Sequence, residues 1–289
     1  MKKIAYRPAD YADPDTAEKI KRLYAEIFHC DMSETFSFWY GATPFGGPLG
    51  VLAVDAENGE AVGHFGTVQT RVTLDGRAAP ARISMGFMVS PRYRGYGIAT
   101  RLNEELFSAI AARDEDALVI GFPNDVSFHM HITRMGYRHI RDFQFVTLPR
   151  SGERQAAFAP CASLPDGGSF PACAMSHAPE YLAWRYASGV YDAFRSERGS
   201  VFVCSRFRDK ADILWWSAGA GREELLDFAA FLYRVYPVER VCTWNTFDWL
   251  DAFPKDERHY HFCIHPLPKT PELAMQGPWT FFMGDCELF

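Results

Sequence analysis

Between residues 81 and 101 the chain changes period. Ile83, Met85, Phe87 and Val89 alternate with Arg82, Ser84, Gly86 and Met88, which predicts a strand. A turn at Ser90-Pro91-Arg92-Tyr93 follows. Ile98, Leu102 and Leu106 then fall on one line, with Phe107 and Ile110 beside it, which predicts a helix. The segments before it read in the same way. Residues 4–7 form a short strand, and Asp13-Pro14 starts a helix with apolar positions at Ile20, Leu23, Tyr24 and Ile27. An aromatic segment holds Phe36, Phe38, Trp39 and Tyr40. Strands over 49–54 and 61–74 are joined by Glu57-Asn58-Gly59, a hairpin signal, and Asp75-Gly76 is a second turn. After the helix, residues 117–122 are almost all apolar, as in a strand buried on both faces. Pro123-Asn124-Asp125 caps a helix over 126–135, Gly136 closes it, and 137–148 is another strand. The order is β-α-α-β-β-β-α-β-α-β, complete by residue 149.

Residues 150–175 carry Pro160, Pro165-Asp166-Gly167-Gly168 and Pro171 and read as a linker. A second unit spans 176–289. It has a helix over 179–187, strands over 200–205 and 212–216, a helix over 222–236, a strand over 241–244, a short helix over 247–253 and a strand over 259–265. The chain closes with apolar segments at 279–282 and 286–289. Phe38-Trp39-Tyr40 in the first unit is echoed by Trp184-Arg185-Tyr186 in the second. Ser217-Ala218-Gly219-Ala220-Gly221 stands where the first unit has Arg94-Gly95-Tyr96-Gly97. The pattern reads either as a degenerate second copy or as independent α/β patterning.

Composition narrows the class. Of 289 residues, 48% are hydrophobic and 23% charged, with a formal net charge of −6, so no global basic field recruits nucleic acid. No apolar run reaches the length of a membrane span, and the basic start is followed by Asp10, Asp13 and Asp15 rather than an apolar segment. The seven cysteines are widely spread with no CxxC, which reads as reduced thiols in a cytoplasmic protein.

The strand–turn–helix of residues 81–101 carries chemistry. A helix N-terminus presents unpaired N–H groups, and Gly95 and Gly97 let an anion approach the backbone closely, so the point suits a phosphate.

This stretch resembles the GNAT superfamily of N-acetyltransferases, whose loop reads Arg/Gln-x-x-Gly-x-Gly/Ala. Arg94, Gly97 and Ala99 match it, after Val89-x-Pro91 and ahead of Asn124 and Gly136-Tyr137. The resemblance covers residues 4–149; more loosely, the whole chain resembles bacterial tandem GNAT-like proteins of this length. It implies an α/β (α+β mixed-sheet) GNAT fold with splayed central strands, followed by a second, degenerate GNAT-like domain. It also implies acetyl-CoA as co-substrate. Arg94, Gly95, Tyr96, Gly97, Ile98, Ala99 and Thr100 would hold the pyrophosphate, and Phe87, Met88 and Val89 the pantetheine arm. Asn124 and Ser127 would lie on the other side, and Trp39 and Tyr40 would wall the acceptor pocket. The family's tyrosine acid falls at Ile132, so His131 is the substitute candidate for the acid and His64 the candidate base. The ordinary reading of both histidines is structural.

His259, His261, Cys263 and His265 share one face of a strand. Same-face neighbours stand about 6.6 Å apart, so no more than two can meet one ion without ligands from elsewhere, and no metal is expected.

The expected function is acetyl transfer to a primary amine of a small molecule, such as an amino sugar or a cell-surface polysaccharide precursor. The alternatives are a non-catalytic acyl-CoA-binding or scaffold protein, and a tandem transferase using an aminoacyl or longer acyl donor. Partners are small molecules, without nucleic acid or membrane insertion, and a homodimer is left open.

Overall fold

The computed structural model describes residues 3–41, 43–113, 115–168, 170, 172–187 and 190–286. Pro171 and the segment 287–289 named above lie outside them. In chain order the elements are β1 (Ile4–Pro8), α1 (Pro14–Phe28), α2 (Phe36–Tyr40), β2 (Leu49–Asp55), β3 (Ala61–Leu74), β4 (Arg77–Val89), α3 (Ile98–Ala111), β5 (Leu118–Gly121), α4 (Asp125–Arg134) and β6 (Arg138–Leu148). There follow β7 (Phe158–Pro160), β8 (Cys173–Met175), α5 (Pro179–Arg185), β9 (Tyr191–Ser196), β10 (Val201–Phe207), β11 (Lys210–Trp216), α6 (Arg222–Val235), β12 (Arg240–Trp244), β13 (Lys255–Pro266), α7 (Glu272–Gln276) and β14 (Trp279–Thr280).

The chain divides into two compact units that are not colinear with it. The first comprises Met1–Arg71, Ala79–Ile140 and Phe262–Met275; the second comprises Val72–Ala78, Arg141–His261 and Gln276–Phe289. Both differ from the 1–149 and 176–289 boundaries read from the sequence.

In the first unit β1 pairs antiparallel with β2, and β2 with β3. β4 lies beside β3 and pairs in parallel with β5. β5 is buried along its whole length, as its apolar run predicts. Its other neighbour comes from far downstream: Cys263, Ile264, His265 and Pro266 of β13 pair antiparallel with Gly121, Ile120, Val119 and Leu118. α1 starts as predicted, with Pro14 in its first turn and the Asp13 carboxylate accepting from the Asp15 and Thr16 N–H groups. α3 places Ile98, Leu102, Leu106, Phe107 and Ile110 against Val51, Val62, Phe65 and Val119. Burying such a side chain contributes about 1.5–3 kcal/mol, so this face anchors α3 and with it the loop that precedes it.

The second unit repeats that plan. β9, β10 and β11 form an antiparallel run. α6 follows, and β12 then pairs in parallel with the start of β11 through Lys210, Ala211 and Asp212. β6 lines β12 antiparallel, as β13 lines β5 in the first unit. The parallel pair after a strand–helix step, flanked by an antiparallel strand, recurs in both units and supports the degenerate second copy. Trp215, Trp216, Trp244 and Phe202 are fully or almost fully buried here, and Phe202 stacks on Phe228 of α6 at 4.6 Å. The sequence did not reveal β9, because Tyr191–Ser196 mixes polar and apolar residues with intermediate burial on both faces.

Among the described residues no helix is long and apolar enough to cross a membrane.

Candidate active site

The central strands part where the expectation required it. β4 and β5 are in register at Ala81–Leu118, Arg82–Val119 and Ile83–Ile120. β5 then ends at Gly121, while β4 runs on to Val89. Within that extension Gly86 has φ 57°, the local kink of a bulged strand. Only glycine fits: a Cβ at residue 86 would stand 2.1 Å from the Tyr40 hydroxyl.

A buried network holds the kink. His64 on β3 is fully buried and donates Nδ1–H to the Gly86 carbonyl at 2.7 Å. A carbonyl only accepts, so the proton sits on Nδ1, and Nε2 accepts from the Tyr11 hydroxyl at 2.9 Å. The Tyr11 ring stacks on Tyr40 at 4.8 Å and 14°. Burial, partly opposed by the bond to Gly86, pushes the His64 pKa from 6.5 down to about 4.

The loop after β4 is built for an anion. Gly97, with φ 76°, is the N-cap of α3 and supplies no side-chain cap to the N–H groups of the first turn. Gly95 has φ 84°, and a Cβ at residue 95 or 97 would meet nothing within 4 Å, so the space in front of the backbone is open. The loop is tied from behind: the buried Tyr93 donates its hydroxyl to Asp55 at 2.6 Å, and the Ser90 N–H donates to the Val62 carbonyl at 2.9 Å. Three arginines flank it, but two are committed. Arg92 pairs with Glu26 and Glu60, and Arg101 with Glu104 and Glu105. Arg94 and Tyr96 are exposed beside the loop, Ile98 is buried under it, and Ala99 and Thr100 are half-buried.

α4 supplies the side facing the extended part of β4. Asn124 is its N-cap: its side-chain oxygen accepts from both the N–H and the hydroxyl of Ser127, each at 3.0 Å. His131 is 4% exposed and donates Nδ1–H to the Ser127 carbonyl at 2.9 Å. That bond fixes the neutral tautomer with the lone pair on Nε2, and burial pushes the pKa below 6.5. The ring meets Phe87 of β4 edge-on at 5.6 Å, and Phe87 meets Phe65 at 4.8 Å. Met88 is buried, while Phe87 and Val89 are half-buried. Ile132 packs into the core beside α3, and His129 is exposed. Trp39 is half-buried and packs edge-on against Phe38 at 4.8 Å, whereas Tyr40 belongs to the network under Gly86.

The structure thus gathers Phe87, His131, Gly86, His64 and Tyr40 around the end of β4, with the glycine loop next in the chain. Tyr11, Asp55 and Gly86 were not singled out from the sequence. A glycine in mid-strand is itself a bulge signal, but nothing local points to Tyr11 or Asp55. The histidine face of β13 does not stay together. Cys263 is fully buried, and His265 stacks on Phe107 at 3.6 Å, where burial lowers its pKa to about 4. His259 and His261 belong to the second unit.

Residues 9–140 match the family model described as the acetyltransferase (GNAT) domain. No curated protein matches the chain. Among solved structures, a GCN5-related N-acetyltransferase from Kribbella flavida superposes with a TM-score of 0.63 at 13% identity, covering 91% of this chain and 71% of that one. A conserved protein of unknown function from Enterococcus faecalis V583, described as a probable N-acyltransferase, gives 0.64 at 12% identity over 93% and 73%. Saccharomyces cerevisiae N-myristoyltransferase with bound myristoyl-CoA gives 0.64 at 10% identity over 92% and 83%. At these identities the likeness is one of fold, and it extends over both units.

Proposed function

We propose, from the premise that residues 9–140 are an acetyltransferase (GNAT) domain, that the chain moves an acetyl group from acetyl-CoA to a primary amine of a small molecule by direct attack on the thioester. One conjunction carries the reading. The register of β4 with β5 stops at Ile83, and the helix that follows β4 opens on an uncapped glycine. The first leaves a strand edge along which an amide-bearing arm can pair, and the second offers N–H donors to a diphosphate.

In this reading Phe87, Met88 and Val89 align the pantetheine. The backbone from Arg94 through Gly95, Tyr96, Gly97, Ile98 and Ala99 to Thr100 holds the pyrophosphate. Asn124 and Ser127 border the coenzyme from α4, and Trp39 lies towards the acceptor. Tyr40 acts from beneath, through Gly86.

The attacking amine must lose a proton, and the developing oxyanion needs a donor. The donor we assign is a backbone N–H near Val89. For the proton we assign His131, because its Nδ1 bond leaves the lone pair on Nε2 and its burial keeps the ring neutral. That tautomer suits a base better than the acid role expected from the sequence. His64 has both ring nitrogens engaged, so its proposed role is to hold the Gly86 bulge. No side-chain acid stands at Ile132, so the thiolate departs without one. The free cysteines accord with a cytoplasmic setting.

The test is calorimetry with CoA, followed by a thiol-release assay with acetyl-CoA over a panel of small amines that includes amino sugars. Binding with release supports the reading, and no binding of CoA overturns it. Binding without release for any donor would make the chain an acyl-CoA-binding protein, the alternative that the isoleucine at position 132 favours. Release only from aminoacyl or longer acyl donors would reassign the donor.

A further inference from the structure

The first unit has a cavity at the end of α3 remote from the glycine loop. It encloses about 430 Å3 between β1, the start of β2 and the last turns of α3. Every residue that lines it belongs to that unit. The sequence explains the hollow. Glu105, Ala109 and Ala112 stand at i, i+4 and i+7, beside the buried line of Leu102, Leu106 and Ile110. Two of the three are alanines, so the helix surface recedes there. The sheet side is apolar. Pro8 of β1 pairs with Val51 of β2, and Tyr6 and Leu49, each two residues from that pair, share its face. At 1.5 Å of rise per residue, Ala109 stands about 18 Å along the helix from Gly97, so this cavity is separate from the loop assigned to the pyrophosphate.

The charge at the cavity is positive. Arg7 and Arg113 line it and are exposed, which places them at its rim. Arg92 and Arg101 beside the glycine loop are paired with glutamates, whereas among the described residues neither Arg7 nor Arg113 has an ion-pair partner. Glu105 also lines the cavity, but its carboxylate is taken by Arg101 at 2.6 Å. Two uncommitted guanidiniums thus border an apolar hollow in a chain whose net charge is −6.

We propose that this cavity is a second small-molecule site, which takes an organic monocarboxylate with a compact apolar body, an aryl carboxylate being the type. Its volume falls within the range of about 300–1,000 Å3 usual for such sites. The guanidiniums receive the carboxylate through charge-assisted N–H donors, and the body covers Tyr6, Leu49, Val51 and Ala109. An uncharged molecule of the same shape leaves both guanidiniums unused. A bare inorganic anion leaves the apolar wall in water. The site is independent of acyl transfer and stands whether or not the chain binds a coenzyme.

The probe is 4-fluorobenzoate, followed by the width of its fluorine resonance as the full chain is added at neutral pH. The resonance should broaden, and that of 4-fluorobenzyl alcohol, which has the body without the charge, should not. Inorganic phosphate, which has the charge without the body, should fail to displace the probe at equal concentration. Replacing both exposed arginines, Arg7→Gln with Arg113→Gln, should weaken binding by about tenfold or more. Ala109→Phe keeps both charges, fills the hollow and should abolish binding. Far-UV circular dichroism checks that each variant folds, and the arginine pair, at exposed positions, decides the point if Ala109→Phe does not. Absence of broadening overturns the proposal, as does equal binding in the folded arginine variant. Undiminished binding in folded Ala109→Phe overturns it too, since the anion would then sit outside the cavity. Equal binding of the alcohol, or displacement by phosphate, overturns the ligand class. Displacement by CoA overturns the site, because it would move the probe to the glycine loop.

Discussion

His64 donates its Nδ1–H to the Gly86 carbonyl across 2.7 Å, so a fully buried imidazole on β3 holds the one left-handed residue of β4. The kink at Gly86 lies between Ile83, the last residue paired with β5, and the strand end at Val89. Whatever fixes the bulge therefore fixes the direction in which the Phe87–Val89 backbone points. The Tyr11 hydroxyl completes the lock on the other ring nitrogen.

Tyr11→Phe tests that lock with little change of shape. It leaves His64 Nε2 buried without its partner, which costs about 1–3 kcal/mol. The ring itself remains to stack on Tyr40. Urea unfolding should show a lower midpoint with an unchanged slope. An unchanged midpoint would mean that the His64 orientation is set by packing alone.

Acid should destabilise the protein before its carboxylates protonate. His64 titrates near 6.5 in the unfolded chain and at about 4 in the folded one, because burial disfavours the charged ring. The folded pKa is the lower of the two, so this stability is fully present above pH 6.5 and is lost as the pH falls from 6.5 to about 4. The slope is roughly 1.4 kcal/mol per pH unit for one such group. His265 acts over the same window, and His131 in the same direction. Unfolding free energies measured across this range should fall with pH. In His64→Gln the slope should drop by about one proton. A slope unchanged by that substitution would remove His64 from the explanation.

Gly86→Ala and Gly97→Val should fail in different ways. A Cβ at residue 86 runs into the Tyr40 hydroxyl, so the first should lose stability and loosen the strand end together. A Cβ at residue 97 meets open space, so the second carries only the left-handed backbone cost, about 1–2 kcal/mol. Its side chain nevertheless projects from the backbone that we assign to the pyrophosphate. Calorimetry with CoA should show Gly97→Val weakened by about tenfold or more, with the melting temperature lowered by only a few degrees. Equal CoA affinity in wild type and Gly97→Val would dismiss the loop as the phosphate site.

These positions differ in how far they were legible from the sequence. The alternation of Ile83 to Val89 and the helical line from Ile98 to Ile110 are local, and both became elements. The line on α3 is buried as predicted, whereas β4 is covered on both faces, with Arg82, Ser84 and Met88 buried as well as Ile83 and Met85, and Phe87 and Val89 only half-buried. The uncapped helix start at Gly97 was legible for the same reason. Tyr11 and His64 are 53 residues apart, and no periodicity links them. The alternation in β13 says that it is a strand but not which strand it joins. Its last residues therefore line β5 in the first unit, a pairing across more than a hundred residues. The three arginines around the loop illustrate another limit. Arg92 and Arg101 find glutamates on neighbouring elements or one turn away, which composition cannot reveal.

Arg82 and Asp116 provide a separate stability test. Both side chains are fully buried and are joined by Arg82 Nε to Asp116 Oδ2 at 2.5 Å. Arg82→Met leaves a buried carboxylate without its cation, which costs about 3–5 kcal/mol. Replacing both residues, Arg82→Met with Asp116→Leu, removes both desolvated charges and should recover most of that loss. The pair of unfolding midpoints decides the point. A double variant no better than the single one would show that the pair is needed for the packing of β4 against β5, not merely tolerated there.

His131 carries the chemical prediction. Its Nδ1 is committed to Ser127 and its ring abuts Phe87, so Nε2 is the atom available to take a proton from an attacking amine. His131→Gln keeps a polar side chain of similar reach but has no basic nitrogen. It should lower kcat by about a hundredfold to ten-thousandfold while leaving CoA affinity nearly unchanged. The pH profile separates this from a structural effect. Burial lowers the pKa of His131 below 6.5, so kcat in the wild type should rise with pH on a limb below 6.5 and stay flat through neutrality. A base works in its deprotonated form, which fixes the direction of that limb; an acid would give the opposite slope. In His131→Gln the residual rate should lose the limb. If the limb survives the substitution, the proton is taken by another group, and the role left for His131 is to pack Phe87 against the open edge of β4.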